Sequence, residues 1–149
     1  MLFRSYSLFI SLIHHAWTYQ FLYFFVADPP PVKAEIDVVF AISADSVSYA
    51  QTFSLMRDTV SWIIGKYGTS KLRYSVIVFG VDASTEINFN RDVPTPNVLI
   101  ESVRQLLRKT GGSDLKKALE QAASVFEGAA ARPDARKVTP LLATVNVSF

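Results

Sequence analysis

The sequence contains no cysteine and only two histidines, and these absences exclude several kinds of chemistry. Without cysteine there are no disulfides, no thiolate nucleophile and no cysteine ligands for zinc. The lack of cysteine does not place the protein in the cytosol, because a domain of this size can fold outside the cell without disulfides. His14 and His15 are adjacent, so they do not share a helix face as an i, i+4 metal pair does. Both lie in an apolar N-terminal stretch, and the rest of the chain has no histidine that could act as a general base.

Charge of one sign is also scarce. The 149 residues carry 15 basic and 13 acidic side chains, a formal net charge of +2. No run of lysine and arginine alternates with aromatic residues. We therefore expect no nucleic acid as a partner.

The first 27 residues are much more apolar and aromatic than the remainder. Arg4 followed by the apolar residues 6–13 is typical of a secretory signal peptide, and Ala27 could precede the cleavage point, although Phe25 is bulky for that position. A signal peptide predicts a secreted protein. The alternative is a membrane anchor, because residues 6–27 approach the ~20 apolar residues that span a bilayer as a helix. A third interpretation is that this leader has no targeting role.

Three consecutive prolines, Pro29, Pro30 and Pro31, follow the leader. They predict a stiff linker over residues 28–33, so that the folded domain occupies residues 34–149.

Within that domain, strand and helix patterns alternate, which predicts an α/β fold with a mainly parallel sheet. Strands are predicted over 36–42, 72–79, 85–89 and from 137 towards 147, with 72–79 and 85–89 antiparallel. Helical spacing of apolar residues predicts three helices. The first ends at Gly68, the second begins at Thr95 with Pro96 in its first turn, and the third is capped by Ser113. Each helix is expected to bury one apolar face. The residues on that face are Phe53, Met56, Val60, Ile63, Ile64 and Tyr67 in the first helix; Leu99, Val103, Leu106 and Leu107 in the second; and Leu115, Ala118, Leu119, Ala122 and Phe126 in the third.

Several segments in this order resemble the von Willebrand factor A family. They are IDVVFAIS, WIIGKYG, YSVIVFG, TEINFN, LIESVRQL, GGSDLKKALEQA and ARPDARKV, and together they span residues 34–138. The resemblance implies a doubly wound sheet with helices on both faces. It also implies a ligand site where loops meet at the carboxyl ends of the central strands. The C-terminal residues depart from the family pattern, since Pro140 suits no central strand and no acid follows Asp134, and we therefore expect a C-terminally truncated domain with an exposed apolar edge.

Members of this family often hold a divalent cation through an Asp-x-Ser-x-Ser loop, a distant Thr and a second distant Asp. In the matching loop, Ser43 stands at the Asp position, Asp45 at the first Ser and Val47 at the second Ser. Ser113 best matches the distant Thr, and no acid stands near Thr144, where the second Asp is expected. One carboxylate with hydroxyl groups is a poor ligand set for Mg²⁺ or a similar ion. The resemblance thus implies a degenerate metal-ion-dependent adhesion site, in which a metal is not expected and any metal would use Ser43, Asp45 and Ser113.

The function expected from this resemblance is an extracellular adhesion or matrix module that binds protein independently of metal. Its candidate contact residues are Ser43, Asp45, Ser46, Asp82 and Ser113. The alternative is a structural spacer, or an inactive truncated fragment, of a larger matrix protein. An enzyme is not expected, because the loop after the first strand has no glycine for a phosphate and only an unsupported Ser–Lys arrangement remains for nucleophilic catalysis.

Overall fold

A computed structural model describes residues 8–12, 20–26, 35–44, 50–89, 95–109, 111–128 and 130–145. The strands are β1 Leu8–Leu12, β2 Gln20–Val26, β3 Ile36–Ser43, β4 Leu72–Phe79, β5 Ala83–Ile87, β6 Arg136–Val138 and β7 Leu141–Val145. The helices are α1 Ala50–Tyr67, α2 Pro96–Arg104 and α3 Leu115–Glu127.

The strands form one sheet in the order β1-β2-β7-β3-β4-β5, with β6 also beside β3. At its centre, β3 pairs in parallel with β4 on one side and with β6 and β7 on the other. The outer pairs β4–β5, β2–β7 and β1–β2 are antiparallel. The β3–β4 register places Ser43 level with Phe79, so both strands end at the same edge of the sheet. The predicted α/β class and the antiparallel pairing of the two strands joined by residues 80–82 are confirmed.

Both faces of β3 are covered by helices, which explains why its sequence is continuously apolar. On one face, Val38, Phe40 and Ile42 pack in a cluster with apolar residues of α1 and α2. On the other, Val39 packs with Ile77 and with Ala122 and Val125 of α3. The carboxyl edge of this buried strand is therefore held in place from both sides of the sheet.

The helix boundaries differ from the sequence prediction at two points, the start of α3 and the end of α2, which ends at Arg104, before Leu106 and Leu107. Gly68 follows α1 with a positive φ of 67° and donates its N–H to the Ile64 carbonyl at 2.9 Å, as expected of a C-terminal glycine. Thr95 is the N-cap of α2, and Pro96 is its first residue. The N-cap of α3, however, is Asp114 and not Ser113. Four residues expected on buried helix faces are exposed instead: Tyr67, Leu107, Leu115 and Leu119.

The short strand β5 begins two residues earlier than predicted and contains a bulge. Ile77 pairs with Thr85 but Val76 pairs with Ile87, so Glu86 is the extra residue on β5. Ile87 packs against the cluster under α1 and α2.

A buried ion pair at the amino edge of the sheet was not foreseen from the sequence. Asp37 of β3 is fully buried, and it accepts the backbone N–H of Arg132 at 2.7 Å and the Arg132 Nε–H at 2.8 Å. Arg132 Nη2 lies 2.7 Å from the same carboxylate and also donates to the Ile36 carbonyl at 2.8 Å. These charge-assisted hydrogen bonds connect the segment before β6 to the start of β3.

The last predicted strand is interrupted at Thr139 and Pro140, which separate β6 from β7. The Pro140 carbonyl accepts the N–H of Ala41 at 3.0 Å, so the break keeps its contact with β3. The apolar edge expected beyond this strand is covered, because β2 pairs with β7 and places Leu22 opposite Ala143.

Part of the N-terminal leader thus takes part in the sheet as β1 and β2. Among the residues that the structure describes, no helix has the length and apolar character needed to cross a membrane. Whether the leader is a cleaved signal peptide stays a prediction.

Candidate functional site

The candidate site lies at the carboxyl edge of β3 and β4, where the chain leaves β3 towards α1 and where the start of α3 contacts the end of β4. Two backbone hydrogen bonds connect this edge. The N–H of Ala44, just after β3, donates to the Phe79 carbonyl at 2.8 Å, and the N–H of Asp114 donates to the Gly80 carbonyl at 2.8 Å. The start of α3 is therefore held directly above the ends of the two central strands. This is the position at which open α/β sheets bind ligands.

Ser43 and Ser113 meet at this edge, although 70 residues separate them in sequence. Their hydroxyl oxygens lie 3.3 Å apart, and either hydroxyl can be the donor. Ser43 is fully buried, whereas Ser113 is exposed. The resemblance had placed both residues in one site, and the structure brings them together. The pair is uncharged, so it offers a cation two hydroxyl oxygens and no negative charge.

Ser113 is available for this contact because the neighbouring Asp114 caps α3. The Asp114 carboxylate accepts the backbone N–H of Lys117 at 3.1 Å, which satisfies one of the free donors in the first helical turn. The prediction that Ser113 performs this role is wrong.

The turn before Ser113 depends on one glycine. Gly111 has a φ of 117°, a conformation that residues with a side chain rarely adopt. A Cβ at Gly111 would also collide with the Val81 side chain. Gly112 has open space around it, so only the first of the two glycines is required by the backbone.

Asp82 lies on the rim of the site, in the turn between β4 and β5, and it forms an ion pair with α3. Lys117 Nζ lies 2.6 Å from the Asp82 carboxylate and donates to the Val81 carbonyl at 2.9 Å. The hydrogen bond and the charge of Lys117 lower the pKa of Asp82 below its usual value. Asp82 thus presents its carboxylate at the surface, beside a shallow cleft of about 380 Å³ lined by Asp82, Ala83, Lys117, Glu120 and Gln121.

A second polar cluster on β5 was missed from the sequence. Lys109 Nζ lies 2.9 Å from the Glu86 carboxylate and contacts the Ser84 hydroxyl, which also contacts Glu86. Hydrogen bonds from Ser84 and then Lys109 lower the pKa of Glu86. No short-range pattern connects these residues, because the tertiary fold brings the segment after α2 against β5.

Several predicted site residues cannot be placed. Asp45, Ser46 and Val47 lie outside the described residues, and of Thr144 the structure describes only the backbone. Across the described ranges, no group of three or more histidine, cysteine or acidic side chains is arranged to hold a metal ion. The structure therefore brings together Ser43 and Ser113 and places Asp82 on the rim nearby.

Comparisons with known proteins agree with this geometry. The family model described as von Willebrand factor type A domain matches residues 37–146. Among solved structures, a crystal form of proximal thread matrix protein 1 from the mussel byssus has a TM-score of 0.62 at 17% identity, covering 70% of this chain and 29% of that chain. A structure of the same mussel protein whose MIDAS motif is occupied by zinc has a TM-score of 0.57 at 17% identity, covering 66% and 27%. At these identities the mussel structures support the fold alone, and the chain spans under a third of their length.

Proposed function

This chain belongs to the von Willebrand factor type A domain family, and from that membership we propose that it is an extracellular adhesion or matrix module that binds protein without a metal ion. The binding surface is the carboxyl edge of the sheet, formed by the exposed Ser113, which lies over the buried Ser43, and by the Asp82 turn. We include Asp45 and Ser46, which follow β3 in sequence. The partner is an extracellular matrix or cell-surface protein.

The observation that carries the metal-independent part is the contact between the buried Ser43 hydroxyl and the hydroxyl of the exposed Ser113. In the family pattern, the position of Ser43 belongs to an Asp that binds the cation. Here the position is enclosed and its hydroxyl is used in a contact with Ser113. A strongly hydrated ion such as Mg²⁺ keeps most of its water and is bound in proteins through one or two carboxylates, and a neutral pair of hydroxyls supplies none.

The Asp82 turn supports a direct polar contact with a partner. Its carboxylate is exposed and ionised, and the Lys117 ammonium beside it is also partly exposed. An ion pair of this kind presents a negative and a positive group 2.6 Å apart, so a partner with the opposite arrangement can align on it. The cleft between this turn and α3 gives such a partner a concave surface to enter.

The resemblance in fold to a byssal matrix protein is compatible with a matrix role, and we propose secretion on the same basis. The second candidate function is a structural spacer in a larger matrix protein. A catalytic role is not proposed, since the Ser84–Lys109 contact that could suggest a Ser–Lys pair has Glu86 in an ion pair with the lysine. An ammonium group held by a carboxylate is a poor base for a serine.

The proposal is tested with the full chain in a surface-binding assay against a panel of purified extracellular matrix proteins, with Mg²⁺ and with chelator. Asp82→Ala is compared with Asp134→Ala, which removes an exposed aspartate from a turn at the opposite edge of the sheet. We expect binding that is equal in both buffers and about fivefold weaker in Asp82→Ala only. Binding that disappears with chelator would contradict metal independence, and an absence of binding to the whole panel would favour the spacer.

A further inference from the structure

The C-terminal end of α1 carries two exposed aromatic rings with a lysine between them. Trp62 is 60% exposed and Tyr67 is 54% exposed, both on the outer side of the helix. Lys66 Nζ lies 4.6 Å from the centre of the Trp62 ring and 5.4 Å from that of Tyr67. We name these three residues the aromatic–lysine cluster. Aromatic residues are enriched at binding interfaces relative to the rest of a protein surface.

The cluster lies far from the candidate site of the preceding subsections. Because α1 leads back to the start of β4, and Leu72 is level with Ile36, the end of α1 is at the amino edge of the sheet. The candidate site is at the carboxyl edge. A ligand at the aromatic–lysine cluster is therefore independent of the proposed protein contact.

The lysine of the cluster contacts no carboxylate in the described part of the chain. Its interactions there are the two ring contacts, which leave its N–H donors directed at solvent or a ligand. The nearest acid on α1 is Asp58, eight residues earlier, which corresponds to about 12 Å along a helix. The cluster thus combines aromatic faces with a cation that attracts negative charge.

We infer that the aromatic–lysine cluster binds an anionic glycan, a chain of sugar rings that carry carboxylate or sulfate groups. The faces of sugar rings present polarised C–H groups, which pack on the negative face of an aromatic ring. The carboxylate or sulfate on the same sugar accepts a charge-assisted hydrogen bond from Lys66. Acidic protein segments fit less well, because aromatic anchors of protein interfaces act in water-excluding pockets, while these rings stand on the convex surface of a helix.

The inference is tested with the full chain by measuring binding to immobilised heparin and hyaluronan, which present sulfate and carboxylate respectively. Dextran, an uncharged polysaccharide, tests whether sugar rings bind without charge. Polyglutamate tests whether an acidic peptide binds instead. The variants are Trp62→Ala and Lys66→Gln. The matched control is Lys116→Gln, which removes an exposed lysine of α3 whose neighbour is Glu120 and not an aromatic ring. Circular dichroism and thermal melting verify that each variant is folded.

We expect at least one anionic glycan to bind, with affinity about tenfold weaker in Trp62→Ala and in Lys66→Gln and within about twofold of the original in Lys116→Gln. Binding of heparin alone identifies sulfate as the anion, and binding of hyaluronan identifies carboxylate. The inference is overturned if neither glycan binds, or if Lys116→Gln weakens binding as much as Lys66→Gln. It is also overturned if polyglutamate binds more tightly than both glycans through Trp62, since the ligand would then be an acidic protein segment.

Discussion

Replacing Ser43 with aspartate tests the proposed reason for metal independence. The substitution restores the carboxylate that the family pattern has at this position. In the absence of a cation, however, the new charge is enclosed, because Ser43 is fully buried and its hydroxyl is within hydrogen-bonding distance of the uncharged Ser113 hydroxyl. A buried charge without an ionic partner costs about 3–5 kcal/mol. For a chain of this size the melting temperature should fall by about 10 °C.

Mg²⁺ should recover part of this loss in Ser43→Asp and have no effect on the original protein. If the restored site binds with a dissociation constant of ~1 mM, then ~10 mM Mg²⁺ stabilises the folded state by about 1.4 kcal/mol. This corresponds to a recovery of about 4 °C in melting temperature. The ligands expected to contribute are the new carboxylate and the Ser113 hydroxyl. The oxygen of that hydroxyl lies 3.3 Å from the Ser43 hydroxyl oxygen in the original protein.

The assay is thermal unfolding followed by circular dichroism in EDTA, Mg²⁺ and Mn²⁺, with titration calorimetry of both ions. Ser43→Asn is the control, since it has nearly the same shape as the aspartate and no charge. If Ser43→Asp melted at the original temperature in EDTA, Ser43 would not be enclosed as the structure has it. If the original protein were itself stabilised by Mg²⁺, the neutral hydroxyl pair would not be the reason for metal independence, and the Asp45→Ala variant would show whether that aspartate supplies the missing charge.

Three further predictions concern the framework that holds the site. Asp37→Asn should lower the free energy of unfolding, measured by urea titration, by about 3 kcal/mol, because it leaves the Arg132 guanidinium without its buried counter-charge. A loss below ~1 kcal/mol would contradict this prediction. Gly111→Ala should cost about 2 kcal/mol through its positive φ, while Gly112→Ala should be nearly neutral in the same urea titration; equal losses would refute the backbone argument. Burial raises the pKa of Tyr74 to about 12, so its contribution is complete below pH 10 and is lost as the pH rises towards 12. At pH 11 this loss should be on the order of 1 kcal/mol, and it should be absent in Tyr74→Phe.

The site could be predicted only in part. The resemblance placed Ser43 and Ser113 in one site, and in the structure their hydroxyl oxygens lie 3.3 Å apart. The sequence does not determine which residue caps α3, because Ser113 and Asp114 are both good capping residues. The choice depends on how the turn at Gly111 approaches the sheet. Since Asp114 caps the helix, the Ser113 hydroxyl is directed to Ser43.

The sequence by itself determined the local elements at the centre of the fold. Continuous apolar runs bounded by polar turns located β3 and β4, and Thr95 with Pro96 marked the start of α2. These signals are local, because side-chain periodicity and capping depend on residues a few positions apart. The order of the segments also identified the family.

Tertiary structure alone decided which distant polar groups meet and which apolar residues are covered. Asp37 and Arg132 are 95 residues apart, and their contact depends on the register between β3 and β6. The bulge at Glu86 and the exposure of Leu107, which is 82% exposed, likewise follow from how β5 and the end of α2 pack against the sheet. A pattern of apolar residues indicates that a segment can be buried. Which surface covers it depends on the packing of segments that are remote in sequence, and a local pattern contains no information on that packing.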